Sequence, residues 1–253
     1  MFNTLLRMKW GALIIFLLSF SVCQAQQPAT PCKAVAFDFF VIFNPNSIIP
    51  EVEKVFPGKG AEFTKAWRAK QFEYCYVCTI TERHISFYDA TQDALVYTAK
   101  ALKLNLTPAQ HSKLMDAYLH LEPWPDAVDA LKKLKQSGLR IVTLSNFDDK
   151  MQRANVNNAG LMNLFDALLS TDAKNTFKPS PEAYALGVEK LRLKKEEIVF
   201  AAFAGWDAYG SKTFGYKTFW VNRLNLPAEE LGNQADKASD NLSGLVKFAA
   251  GHE

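Results

Sequence analysis

Five short apolar runs, separated by helical patterns, constrain this chain more than any other feature of its sequence. The first, Lys33-Ala-Val-Ala-Phe-Asp38-Phe-Phe, is apolar apart from its leading lysine and one acidic interruption, and similar runs recur at 139–144, 167–170, 198–203 and 217–221. A strand that is apolar along its whole length, rather than at alternate positions, is buried on both faces. Between the runs lie helical patterns at 126–136, 148–159, 181–191 and 207–214, three of them ending just before Gly138, Gly160 and Gly215. Helices alternating with buried strands cover both faces of a parallel sheet, so the predicted class is α/β with a doubly wound core.

One stretch breaks the alternation. Residues 49–121 show amphipathic helical patterns at 61–78, 81–104 and 107–119 and no strand pattern, with Thr107-Pro108 a suitable start for the last. The stretch is too long for a loop. It reads as a helical cap domain inserted after the first strand, closing over the carboxyl ends of the sheet where such folds place ligands. The core domain is then 33–48 together with 122–250, within reach of a 253-residue chain that is half apolar. Beyond Asn222 the tail carries no readable pattern.

The amino terminus differs in kind. Arg7 and Lys9 precede an apolar run at 10–22, followed by Cys23, Gln24 and Ala25. This reads as a secretory signal peptide, 1–25, cut after Ala25 and joined to the core by a linker at 26–32. The run is shorter than the roughly 20 residues a spanning helix needs, so periplasmic or secreted export is expected, with an uncleaved membrane anchor as the alternative. A lipid on Cys23 is disfavoured by the bulky Val22 before it. The formal charge of +3 and the lack of a long Lys/Arg block exclude nucleic acid as an expected partner. Cleavage leaves Cys32, Cys75 and Cys78, an odd number, so at least one thiol stays free or pairs between chains. Cys75 and Cys78 form a CxxC inside a helical pattern rather than at a strand-to-helix turn. Core packing is therefore the first reading, ahead of a local disulfide and of redox or metal chemistry.

A carboxylate at the end of a buried strand needs a compensating partner. Asp38 is that carboxylate, and Lys178, in Phe177-Lys178-Pro179-Ser180-Pro181 between a strand and a helix, is the candidate partner. Asp207, after the run at 198–203, and Ser145, after the run at 139–144, fall at the same edge of the sheet. Singly, Asp207 reads equally well as a helix cap, Ser145 as a turn residue and Lys178 as a solvated lysine. Their order and spacing favour a site.

With these residues in place the sequence resembles the type II haloacid dehalogenases of the L-2-haloacid class, within the haloacid dehalogenase (HAD) superfamily, along almost its whole exported length. An aspartate followed two positions on by an aromatic residue matches Asp38 and Phe40, and the cap arginine matches Trp67-Arg68. Leu144-Ser145-Asn146 matches the second motif, Phe177-Lys178-Pro179 with Tyr184 the third, and Trp206-Asp207 with Gly210 the fourth. The resemblance implies a HAD-like Rossmannoid sheet and a hydrolase that cleaves the carbon–halogen bond of a short L-2-haloacid. Asp38 attacks, an aspartyl ester forms, and water releases the 2-hydroxy acid. It further implies that Lys178 offsets the charge of Asp38 and of the ester as it breaks down, and that Asp207 orients Lys178 or the attacking water. Arg68, Asn146 and Trp206 would form the halide pocket, Ser145 would hold the substrate carboxylate, and Tyr184 would support Lys178. No metal and no other cofactor is implied, and family members pair as homodimers through their caps.

Two departures bear on activity. The family continues its first motif with glycine and threonine where this chain has Val41 and Ile42, and it carries serine and asparagine where this chain has Ala202 and Ala204. Alkylation of Asp38 is expected to survive these changes better than hydrolysis of the ester, since a lost positioned hydrogen-bonding group costs about 10²–10³ in rate. Two further readings stay open: a catalytically weakened homologue that binds small acids or a partner protein, and a HAD phosphatase. The second is disfavoured because phosphatases of the superfamily carry an aspartate where this chain has Phe40, leaving Asp207 a thin magnesium site.

Overall fold

The computed structural model describes residues 31–251, so the expected signal peptide, and the linker up to residue 30, lie outside the described residues. Six strands form one parallel sheet: β1 (Ala34–Phe37), β2 (Arg140–Ser145), β3 (Ala167–Ser170), β4 (Ile198–Ala202), β5 (Lys217–Val221) and β6 (Lys237–Ser239), in the order β3-β2-β1-β4-β5-β6. β1 sits at the centre, fully buried, with Phe37 opposite Thr143 on one side and Ala201 on the other. The strand order reverses between β1 and β4. In open α/β sheets ligands bind at this switch point, outside the carboxyl ends of the strands.

The first apolar run does not continue as strand. β1 stops at Phe37, and the next residues make a single helical turn, α1 (Phe39–Ile42). Asp38 causes the break: its side chain accepts from Phe40 N at 3.1 Å and caps the turn, while its own N–H still donates to Ala201 O at 2.9 Å. No residue from Asp38 to Phe43 has a positive φ, so Val41 fits the turn that the family makes with glycine. Trp124 Nε1 donates to Phe40 O at 2.9 Å and Arg223 Nη2 to Val41 O at 3.2 Å, satisfying carbonyls that so short a helix leaves open.

Between β1 and β2 the chain is helical: α2 (Ile49–Val55), α3 (Gly60–Ile80), α4 (Phe87–Ala101) and α5 (Pro108–Ala117). The segment leaves and rejoins the core through a narrow neck, where Phe43 and Pro123 make an antiparallel bridge and Asn44 N donates to Glu122 O at 2.8 Å. The single helical pattern at 81–104 is overruled at its start. α4 begins only after Ser86, whose side chain accepts from Asp89 N, and the preceding turn places Glu82 at φ 53°. α5 starts on the capping box of Thr107 and Gln110. Within the cap, α3 turns Phe63, Trp67, Gln71 and Cys75 inward at helical spacing, and Trp67 Nε1 donates to Thr91 O of α4 at 2.8 Å. Cys32, Cys75 and Cys78 are all free thiols, and burial pushes the Cys75 thiol far above its ordinary value, as core packing requires.

The remaining helices are α6 (Ala127–Gln136), α7 (Asp149–Asn158), α8 (Pro181–Leu191), α9 (Gly205–Phe214) and α10 (Leu242–Ala249). Leu131, Met151, Val156 and Leu245 cover one face of the sheet in a core that runs on into the cap, and Leu186, Ala208 and Tyr216 cover the other. β6 and α10 have no counterpart in the sequence reading. β6 is a three-residue, largely exposed edge strand and so carries no apolar run, while α10 is recognisable only once the face formed by Leu242, Leu245 and Ala249 has a sheet to bury against.

Candidate active site

Three charged side chains meet at the switch point. Lys178 Nζ donates to Asp38 Oδ1 at 2.8 Å and to Asp207 Oδ2 at 2.6 Å. Lys178 comes from the connection before α8, Asp38 from the end of β1, and Asp207 from the first turn of α9. The burial is unequal: the side chains of Lys178 and Asp207 are each 1% exposed, whereas that of Asp38 is 13% exposed. Burial alone would lower the lysine's pKa, but the charges of Asp207 and Asp38 more than offset it and hold the ammonium above its usual range. Burial also pushes the Asp207 carboxyl up, to about 6, against the opposing pull of Lys178. Two carboxylate acceptors hold the lysine as a cation between them. Tyr184, on α8, donates its hydroxyl to Asp207 Oδ1 at 2.7 Å; burial and then the Asp207 charge raise its pKa well above the tyrosine range, so the phenol stays a donor. Both oxygens of Asp207 are thus occupied, and the less buried Asp38 is the carboxylate available for chemistry.

At the end of β2, Asn146 is buried and its Oδ1 accepts from Lys178 N at 2.8 Å and from Thr171 Oγ1 at 3.3 Å. These two donors fix the amide, and its Nδ2 is left buried without a partner. Ser145 Oγ accepts from Phe147 N at 3.1 Å, which leaves the Ser145 hydroxyl proton free to donate. Thr171 was not anticipated; a lone threonine after an edge strand gives no signal until the fold brings it to Asn146.

Arg68 reaches the site from α3. Its guanidinium lies 4.8 Å from the centre of the Phe40 ring and 5.8 Å from that of Phe203, and its Nε is buried without a partner. Burial lowers its pKa, with Tyr118 and Asp38 opposing the shift; an arginine remains a cation under such a shift. Trp206 packs edge-on against Phe72 at 5.4 Å and Tyr76 at 5.8 Å, both from α3. Phe72, Tyr76 and Phe203 are site residues that the sequence reading missed. Phe72 and Tyr76 follow Arg68 at i+4 and i+8 on one helix face, a signal that was available. Phe147 links the halves, stacked on Phe39 of the core at 4.5 Å and tilted against Phe87 of the cap at 4.7 Å.

An anion fits this arrangement. Leaving a buried donor unpaired costs about 1–3 kcal/mol, and Arg68 Nε and Asn146 Nδ2 are two such donors, one of them on a cation. A divalent metal does not fit: the position two residues after Asp38 is the buried ring of Phe40 beneath a guanidinium, and among the described residues no group of three or more His, Cys, Asp or Glu side chains gathers as a metal site.

A partly exposed aspartate held by a sealed lysine, with a cation reaching over from α3, is an arrangement chemically suited to attack by a carboxylate. Residues 32–201 match the haloacid dehalogenase-like hydrolase family, and the chain belongs to it. It is 37% identical to an (S)-2-haloacid dehalogenase from Pseudomonas sp. (strain YL) over 217 residues, 85% of this chain and 94% of that protein. Its fold is similar to a crystal structure of an L-2-haloacid dehalogenase at TM-score 0.85 and 35% identity, covering 87% of this chain and 99% of the other. It is likewise similar to the L-2-haloacid dehalogenase of Xanthobacter autotrophicus with chloropropionic acid covalently bound, at TM-score 0.83 and 32% identity, covering 88% and 100%.

Proposed function

We propose that the protein is an (S)-2-haloacid dehalogenase that converts short L-2-haloacids to 2-hydroxy acids through an ester on Asp38. The observation that carries this reading is a partly exposed carboxylate held by Lys178, together with two buried unpartnered donors, Arg68 Nε and Asn146 Nδ2, one of them on a cation. In the first step an Asp38 carboxylate oxygen attacks the halogen-bearing carbon; the carbon–oxygen bond forms, the carbon–halogen bond breaks, and the halide leaves to the Arg68 and Asn146 donors. The Ser145 hydroxyl donates to the substrate carboxylate. In the second step water adds to Asp38 Cγ, the ester Cγ–O bond breaks, one proton of water ends on the 2-hydroxyl oxygen, and the other leaves to solvent as the Asp38 carboxylate is regenerated. Lys178 offsets the oxyanion that develops, and Trp206 and Phe72 exclude bulk water. The test is halide release from L-2-chloropropionate by the mature protein: release well above that of Asp38→Asn is expected, and equal release would reject the reading.

A second reading draws on Ile42 and Ala202, which are fully buried, and on Ala204, all without side-chain polar atoms. In that reading the protein alkylates Asp38 and stops, serving as a binder of small acids. Intact mass after exposure to L-2-chloropropionate distinguishes the two, because a persistent adduct marks attack without turnover. Phosphatase chemistry is disfavoured by Phe40 at the position where a magnesium-holding aspartate belongs.

We further infer export, on the strength of the pattern at 1–25, and homodimer formation through the cap. Val77 and Ile80 near the end of α3 and Tyr97 on α4 are large apolar side chains at 49%, 81% and 46% exposure on the cap surface, and a second copy would cover them. Fractionation of cells expressing the full chain tests the first inference. Solution mass of Ile80→Glu against wild type tests the second, with a wild-type monomer overturning it.

A further inference from the structure

The second step needs a group to hold the attacking water, and the core supplies few. Lys178 and Tyr184 occupy the two oxygens of Asp207. At the end of β4, Ala202 and Ala204 have no side-chain polar atoms, and Phe203 between them is turned toward Arg68. Tyr76 reaches Trp206, two residues beyond Ala204, from the cap. It lies on α3 two turns beyond Arg68 and one beyond Phe72, and its ring meets Trp206, the residue before Asp207, at 5.8 Å and 87°. The side chain is half-buried, and its hydroxyl makes no hydrogen bond with the described residues, whereas the Tyr184 and Tyr216 hydroxyls are both engaged. Burial, then the charge of Asp207, raises the Tyr76 pKa, so the phenol stays protonated and lies within electrostatic reach of that carboxylate. Tyr184 senses Tyr76 in turn.

We propose that Tyr76 is a positioning residue for ester hydrolysis, its hydroxyl holding the water that attacks Asp38 Cγ on the side of the pocket where Ala202 and Ala204 offer no hydrogen bond. The inference rests on the two-step reading above. Tyr76 keeps its own proton throughout: the water oxygen bonds to Cγ, the ester Cγ–O bond breaks, one proton of water passes to the departing 2-oxygen, and the other leaves to solvent as the Asp38 carboxylate is regenerated. The cap thereby restores to the hydrolytic step what the core lacks.

Tyr76→Phe keeps the ring on Trp206 and removes only the hydroxyl. With enzyme in excess over L-2-chloropropionate, formation and decay of the Asp38 adduct are followed by rapid quench and intact mass. Formation is expected within about two-fold of wild type, and decay slowed roughly 10- to 100-fold, the usual effect of losing one positioned proton-handling or hydrogen-bonding group. A purely structural role would slow both steps together. Unchanged decay, or equal slowing of formation and decay, overturns the proposal. Failure of the dehalogenase reading shows separately, as wild-type protein that forms no adduct and releases no halide, and it takes this proposal with it. A thermal midpoint for Tyr76→Phe near that of wild type confirms that the comparison is between folded proteins.

Discussion

Lys178→Met probes the charge balance on which the site depends. One buried ammonium serves two carboxylates, at 2.8 and 2.6 Å. Methionine keeps the length and much of the volume of lysine but removes the charge, so Asp38 and Asp207 face each other with nothing between them. Two unit charges about 5 Å apart at an effective dielectric of about 20 repel by about 3 kcal/mol. This is the same physics that makes removal of one partner from a buried pair cost about 3–5 kcal/mol, so the two figures are not added. The variant escapes part of the cost by protonating Asp207. That carboxyl stands near 6 with the lysine present, and losing the lysine raises it further. A group whose folded pKa lies above its unfolded value contributes stability that is present at low pH and lost as pH rises through the folded value. The deficit relative to wild type therefore opens above about pH 6. Urea unfolding followed by circular dichroism should show the variant about 3 kcal/mol less stable at pH 8 and less than half as far below wild type at pH 5. A deficit under about 1 kcal/mol at pH 8, or one of the same size at both pH values, would refute the claim that this lysine acts by charge rather than by packing.

Gly210→Ala places a Cβ 2.5 Å from the Tyr184 hydroxyl and 2.9 Å from Pro179 Cβ, so turnover should fall at least about ten-fold and stability by about 1–3 kcal/mol; a more stable variant would mean that helix propensity outweighs the clash. Arg68→Leu removes the cation facing Phe40 and Phe203 and should slow first-turnover halide release by about 10²–10³, while unchanged release would place the halide elsewhere. Turnover should decline toward acid with a limb near pH 6, as Asp207 takes up a proton and no longer holds Lys178 in place beside Asp38. A rate independent of pH between 5 and 8 would count against that role for Asp207.

Sequence by itself determined the layers and most of the contributors to the site. A fully apolar strand can be stable only between two covered faces, so the runs at 139–144, 167–170 and 217–221 lie where β2, β3 and β5 lie, and the polar residues at their carboxyl ends fall at one edge of one sheet. Asp38, Ser145, Lys178 and Asp207 were legible for that reason, and Asn146 and Tyr184 through the resemblance of the motifs around them. Tertiary structure alone decided what depends on approach between distant segments. It ended β1 at Phe37 because the Asp38 carboxylate captured Phe40 N, it brought Thr171 to Asn146, and it gave α10 a surface to bury. It also set the division of labour among the charges. Asp38 and Asp207 are the same residue type near strand ends, and they differ because one stays partly exposed and the other lies under α8 with both oxygens engaged, a difference in solvation that no local pattern encodes.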